Sequence, residues 1–147
     1  RGYFGHSAGG GFGLHTLFEQ TGLFNRLIIS SPGIGFDDDY FALRQASAFI
    51  KKGKGIKAKV FMSVGSEEEF EPGFTQKWSL VSNYYRMAQL LRAANIPELE
   101  FETRVFPDET HATVPYIAFS HGVRALYGVS DHEDRPNNNN QKSKKLR

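Results

Sequence analysis

The 147-residue sequence has no cysteine, and this absence excludes disulfide bonds and thiolate metal sites. It leaves the cellular compartment undetermined, because a chain without cysteine folds in reducing and oxidising surroundings alike. No apolar run reaches the length of about 18 residues that a membrane-spanning helix needs, so no membrane span is predicted. The formal net charge is only +2. A charge this small gives no reason to expect a nucleic-acid partner.

What is present is typical of one globular domain, with 39% hydrophobic and 23% charged residues. The first residue is Arg1 rather than methionine, and the strongest motif begins already at Gly5. We therefore expect that residues 1–128 form a partial domain that lacks its N-terminal half. Residues 129–147 are almost all polar and lack apolar periodicity, which predicts a disordered tail.

Apolar runs and amphipathic segments alternate along the first 128 residues. Short runs bounded by turn residues are typical of strands buried on both faces, and longer amphipathic segments are typical of helices. The predicted strands are residues 1–5, 26–30, 59–64 and 99–105. Three of the predicted helices are residues 10–22, 75–95 and 115–128. A fourth helix is predicted to begin after the capping residues Asp37, Asp38 and Asp39 and to stop near Gly53. This order predicts an α/β fold with a mostly parallel sheet and helices on both faces.

Gly5-His6-Ser7-Ala8-Gly9 matches the pattern G-x-S-x-G between a predicted strand and a predicted helix. In this pattern the glycines permit a cramped turn that presents the serine hydroxyl at the helix N-terminus. Ser7 is therefore the candidate nucleophile, and the Ala8 N–H is a candidate oxyanion-hole donor. A glycine-rich nucleotide-binding turn is the alternative, but the segment lacks the lysine of a phosphate loop and does not match G-x-G-x-x-G.

A serine nucleophile needs a histidine base, and the sequence contains five histidines. His111 is favoured because it lies in a loop after the last predicted strand. His6 occupies the variable position of the serine motif and is expected to line a pocket. The remaining histidines, which are expected to be structural or exposed to solvent, are His15, His121 and His132.

The base in turn needs a carboxylate, and Glu67, Glu68 and Glu69 follow the predicted strand 59–64 at the edge where parallel sheets carry their sites. Only one of the three can reach the imidazole, and the run leaves the choice open. Asp108 is a rival, although it lies in the same loop as His111, where a local turn bond is more natural. No metal-ligand spacing such as H-E-x-x-H occurs, so neither a metal nor a cofactor is expected.

With these residues placed, the chain resembles the C-terminal half of an α/β hydrolase of the esterase family that includes enterochelin esterases, esterase D-like enzymes and mycolyltransferases. The segments that carry the resemblance are Gly2-Tyr3-Phe4-Gly5-His6-Ser7-Ala8-Gly9-Gly10, Leu23-Phe24-Asn25-Arg26, Ser30-Ser31-Pro32, Val64-Gly65-Ser66-Glu67-Glu68 and Pro107-Asp108-Glu109-Thr110-His111. The family acid stands a few residues after the glycine that ends the strand, so the resemblance ranks Glu68 first. It also implies that the second oxyanion donor and much of the pocket lie outside this chain, which alone is expected to be inactive.

The expected function is hydrolysis of a small-molecule carboxylic ester through an acyl-enzyme, with Ser7, His111 and Glu68 as the triad. Two alternatives remain: an acyltransferase of the same fold, and an inactive hydrolase-fold binding module. Candidate pocket residues are His6, Phe36, Phe70 and Trp78. The oligomeric state is left open.

Overall fold

The computed structural model describes residues 1–36 and 40–128. Its strands are β1 (Gly2–His6), β2 (Arg26–Ser30), β3 (Ala58–Gly65) and β4 (Leu99–Phe106). Its α-helices are α1 (Ala8–Glu19), α2 (Phe41–Lys51), α3 (Phe74–Lys77), α4 (Leu80–Ala94) and α5 (Val114–Tyr127), with a short 3₁₀ helix at Ser66–Glu69. The predicted alternation of strands and helices is confirmed.

The four strands form one parallel sheet in the order β1-β2-β3-β4. Gly5 pairs with Ile29, Ser30 with Ser63, and Gly65 with Phe106. Because all strands run the same way, their carboxyl ends meet at one edge of the sheet. The residues that follow β1, β3 and β4 are thereby brought to the same edge, as the fold class predicts.

Helices cover both faces of this sheet. On one face Leu27 and Ile29 of β2 belong to the main core, which includes buried side chains of α1, α2 and α4. On the other face Ile28 packs with Phe61 and with apolar side chains of α5. The middle of β2 is apolar at three successive positions, Leu27, Ile28 and Ile29, because successive side chains of a strand point to opposite faces and both faces are covered.

The segment predicted as one amphipathic helix at residues 75–95 consists of two helices, α3 and α4, separated at Trp78 and Ser79. Ser79 has a φ of 45°, a left-handed conformation that no α-helix continues through. The Asn83 side-chain amide donates to the Trp78 carbonyl oxygen at 2.7 Å and so satisfies a carbonyl that the break leaves free. The apolar spacing is maintained across the break, which is why the sequence pattern concealed it.

Two sequence predictions lie outside the described residues: the helix cap at Asp37, Asp38 and Asp39, and the disordered tail at 129–147. Among the described strands β1 pairs only with β2, so it lies at one edge of the sheet, with 39% of Phe4 exposed. Of the helices in residues 1–36 and 40–128, none combines the length and the apolar character that crossing a membrane requires.

Candidate active site

Ser7 occupies a sharp turn between β1 and α1, with φ 57° and ψ −118°. A positive φ at a residue other than glycine costs on the order of 1–3 kcal/mol, so the surrounding structure must hold it. The Ser7 N–H donates to the Ser30 carbonyl at 3.0 Å, and the Ser7 carbonyl accepts N–H bonds from Gly11 at 3.0 Å and Gly33 at 3.1 Å. The turn is therefore anchored to the end of β2 and to the loop that follows it.

Close packing around this turn requires glycine at two positions. A Cβ on Gly5 would collide with the Gly9 carbonyl oxygen and the Tyr3 hydroxyl. A Cβ on Gly10 would lie 2.8 Å from the Ser30 carbonyl oxygen. At Gly9, in contrast, the nearest atom would be the Tyr3 hydroxyl at 3.6 Å, an ordinary contact distance. The packing therefore depends on Gly5 and Gly10 and not on Gly9, the second glycine of the G-x-S-x-G pattern.

Glu68 is the glutamate that contacts His111. Its side chain is fully buried, and its Oε2 lies 2.6 Å from His111 Nδ1. Its other oxygen, Oε1, accepts hydrogen bonds from the Ser31 hydroxyl at 2.5 Å and from the Gly65 N–H at 2.7 Å. A buried carboxylate needs such partners, because water cannot solvate it there.

The other two glutamates of the run point elsewhere because a 3₁₀ helix turns them away from the site. Glu67 accepts the Ser66 hydroxyl at 2.8 Å. Glu69 accepts the Ser82 N–H at 2.6 Å and its hydroxyl at 2.7 Å, in the first turn of α4. Glu68 alone of the three therefore faces the imidazole.

His111 is held by a side-chain and a backbone contact. The carboxylate at Nδ1 places the ring proton on Nδ1 and leaves Nε2 as an acceptor. The His111 N–H donates to Glu71 Oε2 at 3.0 Å. Sequence reasoning missed Glu71, and no motif signals it, because the bond it makes is to a backbone group 40 residues away.

The loop after β4 is joined to the loop after β3. The Glu67 N–H donates to the Glu109 carbonyl at 3.1 Å, and the Asp108 N–H donates to the Ser66 hydroxyl at 3.0 Å. Gly65 packs so closely against the Glu109 carbonyl oxygen that no Cβ fits. Asp108 lies in this turn with a φ of 60°. The carboxylate beside the His111 ring belongs to Glu68 and not to Asp108.

His6 lies against His111, with ring centroids 4.4 Å apart, and its Nδ1 is 3.0 Å from the Ser30 hydroxyl oxygen. Burial lowers the pKa of His6, and the positive charge that His111 acquires on protonation lowers it further. The neutral form of His6 is therefore favoured. The structure places this ring beside the candidate base.

A cavity of about 420 Å³ opens beside Ser7, and Phe36 and Trp78 are among the residues that line it. His6 and Phe70 are not among them, and 76% of Phe70 is exposed. Phe74 lines the cavity and contacts the His111 ring edge-on, with centroids 5.1 Å apart. The Ser7 hydroxyl makes no hydrogen bond to any described residue. Residues 1–36 and 40–128 contain no group of three His, Asp or Glu side chains that could hold a metal ion.

No protein-family model and no curated protein matches the chain. Solved structures do match it. A siderophore hydrolase, EstA from Aspergillus nidulans, is 25% identical with a TM-score of 0.77, and the match covers 88% of this chain and 48% of EstA. The BES protein from Bacillus cereus is 29% identical with a TM-score of 0.71, and the match covers 85% of this chain and 45% of BES. The chain has an α/β-hydrolase fold.

A third similar structure is an IroE-like serine hydrolase from Shewanella oneidensis, with 25% identity and a TM-score of 0.73, covering 86% of this chain and 40% of that protein. The resemblance to α/β hydrolases that the sequence predicts is thereby confirmed. The α/β-hydrolase fold also accounts for the position of Ser7, since this fold carries its sites at the carboxyl edge of the sheet. The chain spans about half or less of the length of these structures.

Proposed function

We propose that the chain is the C-terminal, triad-bearing part of a serine esterase that hydrolyses a carboxylic ester through an acyl-enzyme. Ser7 is the nucleophile, His111 the base and Glu68 the carboxylate that orients it. The observation that carries the proposal is the buried Glu68 carboxylate, 2.6 Å from His111 Nδ1, at the edge of the sheet where the Ser7 turn also lies.

In the first half of the reaction, His111 Nε2 accepts the Ser7 proton while the Ser7 oxygen bonds to the ester carbonyl carbon. The carbonyl oxygen becomes an oxyanion. When the C–O bond to the alcohol breaks, the imidazolium gives its proton to the departing alcohol and leaves an acyl-Ser7 ester. Glu68 stabilises the imidazolium during these steps, since its buried carboxylate is already bonded to Nδ1.

In the second half, His111 accepts a proton from water as the water oxygen bonds to the acyl carbon. Collapse of that intermediate breaks the bond to Ser7, which regains its proton from His111, and the carboxylic acid is released. Ester plus water is thus converted to alcohol plus acid, and the enzyme is unchanged.

The Ala8 N–H supports the oxyanion in both halves. Ala8 is the first residue of α1, and the first N–H groups of a helix have no partner within it. The helix dipole adds partial positive charge at the same end. A second donor is expected outside this chain, because the solved structures extend well beyond the part that it matches.

The similar structures support this activity, since their descriptions include a siderophore hydrolase and a serine hydrolase. They are similar to the chain over less than half of their own length, so they do not identify its substrate. A small-molecule ester is the substrate class that the proposal requires.

The test is labelling of the complete protein with a fluorophosphonate, which reacts with activated serines. We expect labelling of the wild type and of Ser82→Ala, whose hydroxyl donates to Glu69 in the wild type, and none of Ser7→Ala. Labelling that persists in Ser7→Ala would rule out Ser7 as the nucleophile. A folded wild type that does not react would favour an inactive binding module.

A further inference from the structure

The cavity beside Ser7 follows the line between α1 and α2. On α1 its lining residues include Ala8, Gly11 and His15, which recur at helical spacing and so lie along one face. On α2 they include Ala42 and Gln45, again one turn of helix apart. We call this cavity the α1–α2 groove.

Most of the residues that line the groove are apolar. Along α1, Ser7 is the first of the lining residues and His15 is the last, and His15 contacts Gln45 of α2. The aromatic side chains that line it are Phe12, Phe36, Phe41, Phe74 and Trp78. Such a surface favours an apolar occupant, because each methylene removed from water contributes about 0.8 kcal/mol.

A hydrogen bond joins the two helices of the groove at His15, the lining residue of α1 farthest from Ser7. Gln45 Nε2 lies 3.0 Å from His15 Nδ1 and so links α2 to α1, and the Gln45 side chain is only 9% exposed. The His15 ring is nearly parallel to that of Phe41, at an interplanar angle of 22°. An apolar group that separated this pair would leave the buried Gln45 amide without its partner, which is costly.

Resting on the proposed function, we propose that the α1–α2 groove binds the unbranched apolar part of the ester substrate and that the His15–Gln45 pair limits its length. Ser7 and His15 are eight residues apart, which at 1.5 Å per residue is ~12 Å along the helix axis. Helical side chains lean toward the N-terminus, so the His15 ring lies nearer to Ser7 than its Cα does. The groove therefore accepts an extended chain of about six to eight carbon atoms.

The experiment measures kcat/KM of the complete protein for nitrophenyl esters of straight-chain acids from acetate to myristate. A second series keeps the acid as acetate and lengthens the alcohol over the same range. We expect kcat/KM to rise about fourfold per methylene up to about six to eight carbons and then to fall, in one series only. The series that responds identifies which side of the ester occupies the groove.

Two variants remove the His15–Gln45 pair, and a third is their control. In His15→Ala and in Gln45→Ala we expect the best substrate to become longer by about two carbons or more, since the barrier is lost. Ser47→Ala lies on the same helix as Gln45 but lines a separate surface depression, so its length profile should match the wild type. Fluorophosphonate labelling of each variant shows that it is folded. If only one of His15→Ala and Gln45→Ala folds, that variant is sufficient to test the length limit.

Flat profiles in both series, or a length limit that stays the same in both variants, would overturn the groove assignment. If Ser7 is still labelled in those proteins, the proposed function survives and only the groove proposal fails. A folded wild type that hydrolyses no ester and is not labelled would overturn both.

Discussion

Glutamates near the end of β3 have separate partners, although their side chains are chemically identical. Glu68 contacts the His111 ring, Glu69 binds Ser82 in α4, and Glu71 accepts the His111 N–H. Each partner is decided by where the backbone aims the side chain. The chemical consequence differs accordingly, since only Glu68 is positioned to stabilise a charged imidazole.

Replacing Glu68 by Gln keeps the size of the side chain but removes its charge. An amide in place of the carboxylate stabilises the imidazolium less and does not select the same tautomer, so we expect kcat to fall by about 10³ to 10⁴ with a smaller change in KM. Steady-state kinetics with a reactive ester measures this. Glu69→Gln is the matched control, because the Glu69 side chain binds Ser82 of α4 and not the imidazole. Its kcat should stay within about threefold of the wild-type value. Equal losses in the two variants would contradict the assignment of Glu68.

Glu71 offers a second test at this scale, because it holds His111 through the backbone. Glu71→Ala removes the acceptor for the His111 N–H, and we expect kcat to fall by about 10- to 100-fold because the imidazole is less well positioned. Glu71→Gln retains an oxygen acceptor and should restore most of the activity. The rate of fluorophosphonate labelling should change in parallel. If the Gln variant is as impaired as the Ala variant, the negative charge of Glu71 matters rather than its hydrogen bond.

The turn between β1 and α1 shows how one element depends on another. Its glycines are not equivalent: Gly10 faces the Ser30 carbonyl at the end of β2, whereas Gly9 has room for a methyl group. The motif in the sequence includes Gly9 but ends before Gly10. The steric requirement comes from the neighbouring strand and not from the turn alone.

Alanine substitutions at these two neighbouring positions should therefore have opposite effects on stability. Both residues lie in the first turn of α1, so the gain in helix propensity, up to about 1 kcal/mol, is common to both. Gly9→Ala should be neutral or stabilising. Gly10→Ala should lower the free energy of unfolding by about 1–3 kcal/mol, because the added methyl overpacks the contact with β2. Urea denaturation of the two variants measures the difference, and equal midpoints would refute the steric argument.

At the scale of the whole molecule, the sheet and its connecting loops bring together groups from distant parts of the chain. His6 follows this pattern: it ends β1, contacts Ser30 of β2 and packs on His111 from the loop after β4. Its protonation therefore affects contacts among several elements at once. The lowered pKa of His6 makes the folded state bind fewer protons than the unfolded chain near the ordinary histidine value of 6.5.

This difference predicts how stability depends on pH. Well above pH 6.5 His6 is neutral in both states, and its favourable contribution is fully present. As the pH falls through that value, the unfolded state takes up a proton that folded His6 resists, so the free energy of unfolding decreases. Urea denaturation at a series of pH values should show a shallower decrease for His6→Gln than for the wild type. Identical slopes would show that His6 does not contribute to the dependence.

The order of strands and helices was predictable because it depends on short-range patterns. Leu27, Ile28 and Ile29 are all apolar since β2 is covered on both faces, and such a run is visible without knowing what covers it. The break between α3 and α4 was not predictable. It depends on a left-handed Ser79 and a hydrogen bond from Asn83, neither of which disturbs the apolar spacing.

The sequence by itself determined the fold class and the candidate residues Ser7 and His111, because turn glycines, apolar runs and the position of a residue relative to a strand are local properties. It narrowed the acid to a run of three glutamates and could not choose among them from spacing. Only the tertiary structure decided that Glu68 meets a histidine 43 residues away, that Glu71 holds the backbone of that histidine, and that His15 contacts Gln45. Those contacts depend on how loops from different strands are aimed at one edge of the sheet, and that direction is set by packing across the whole molecule.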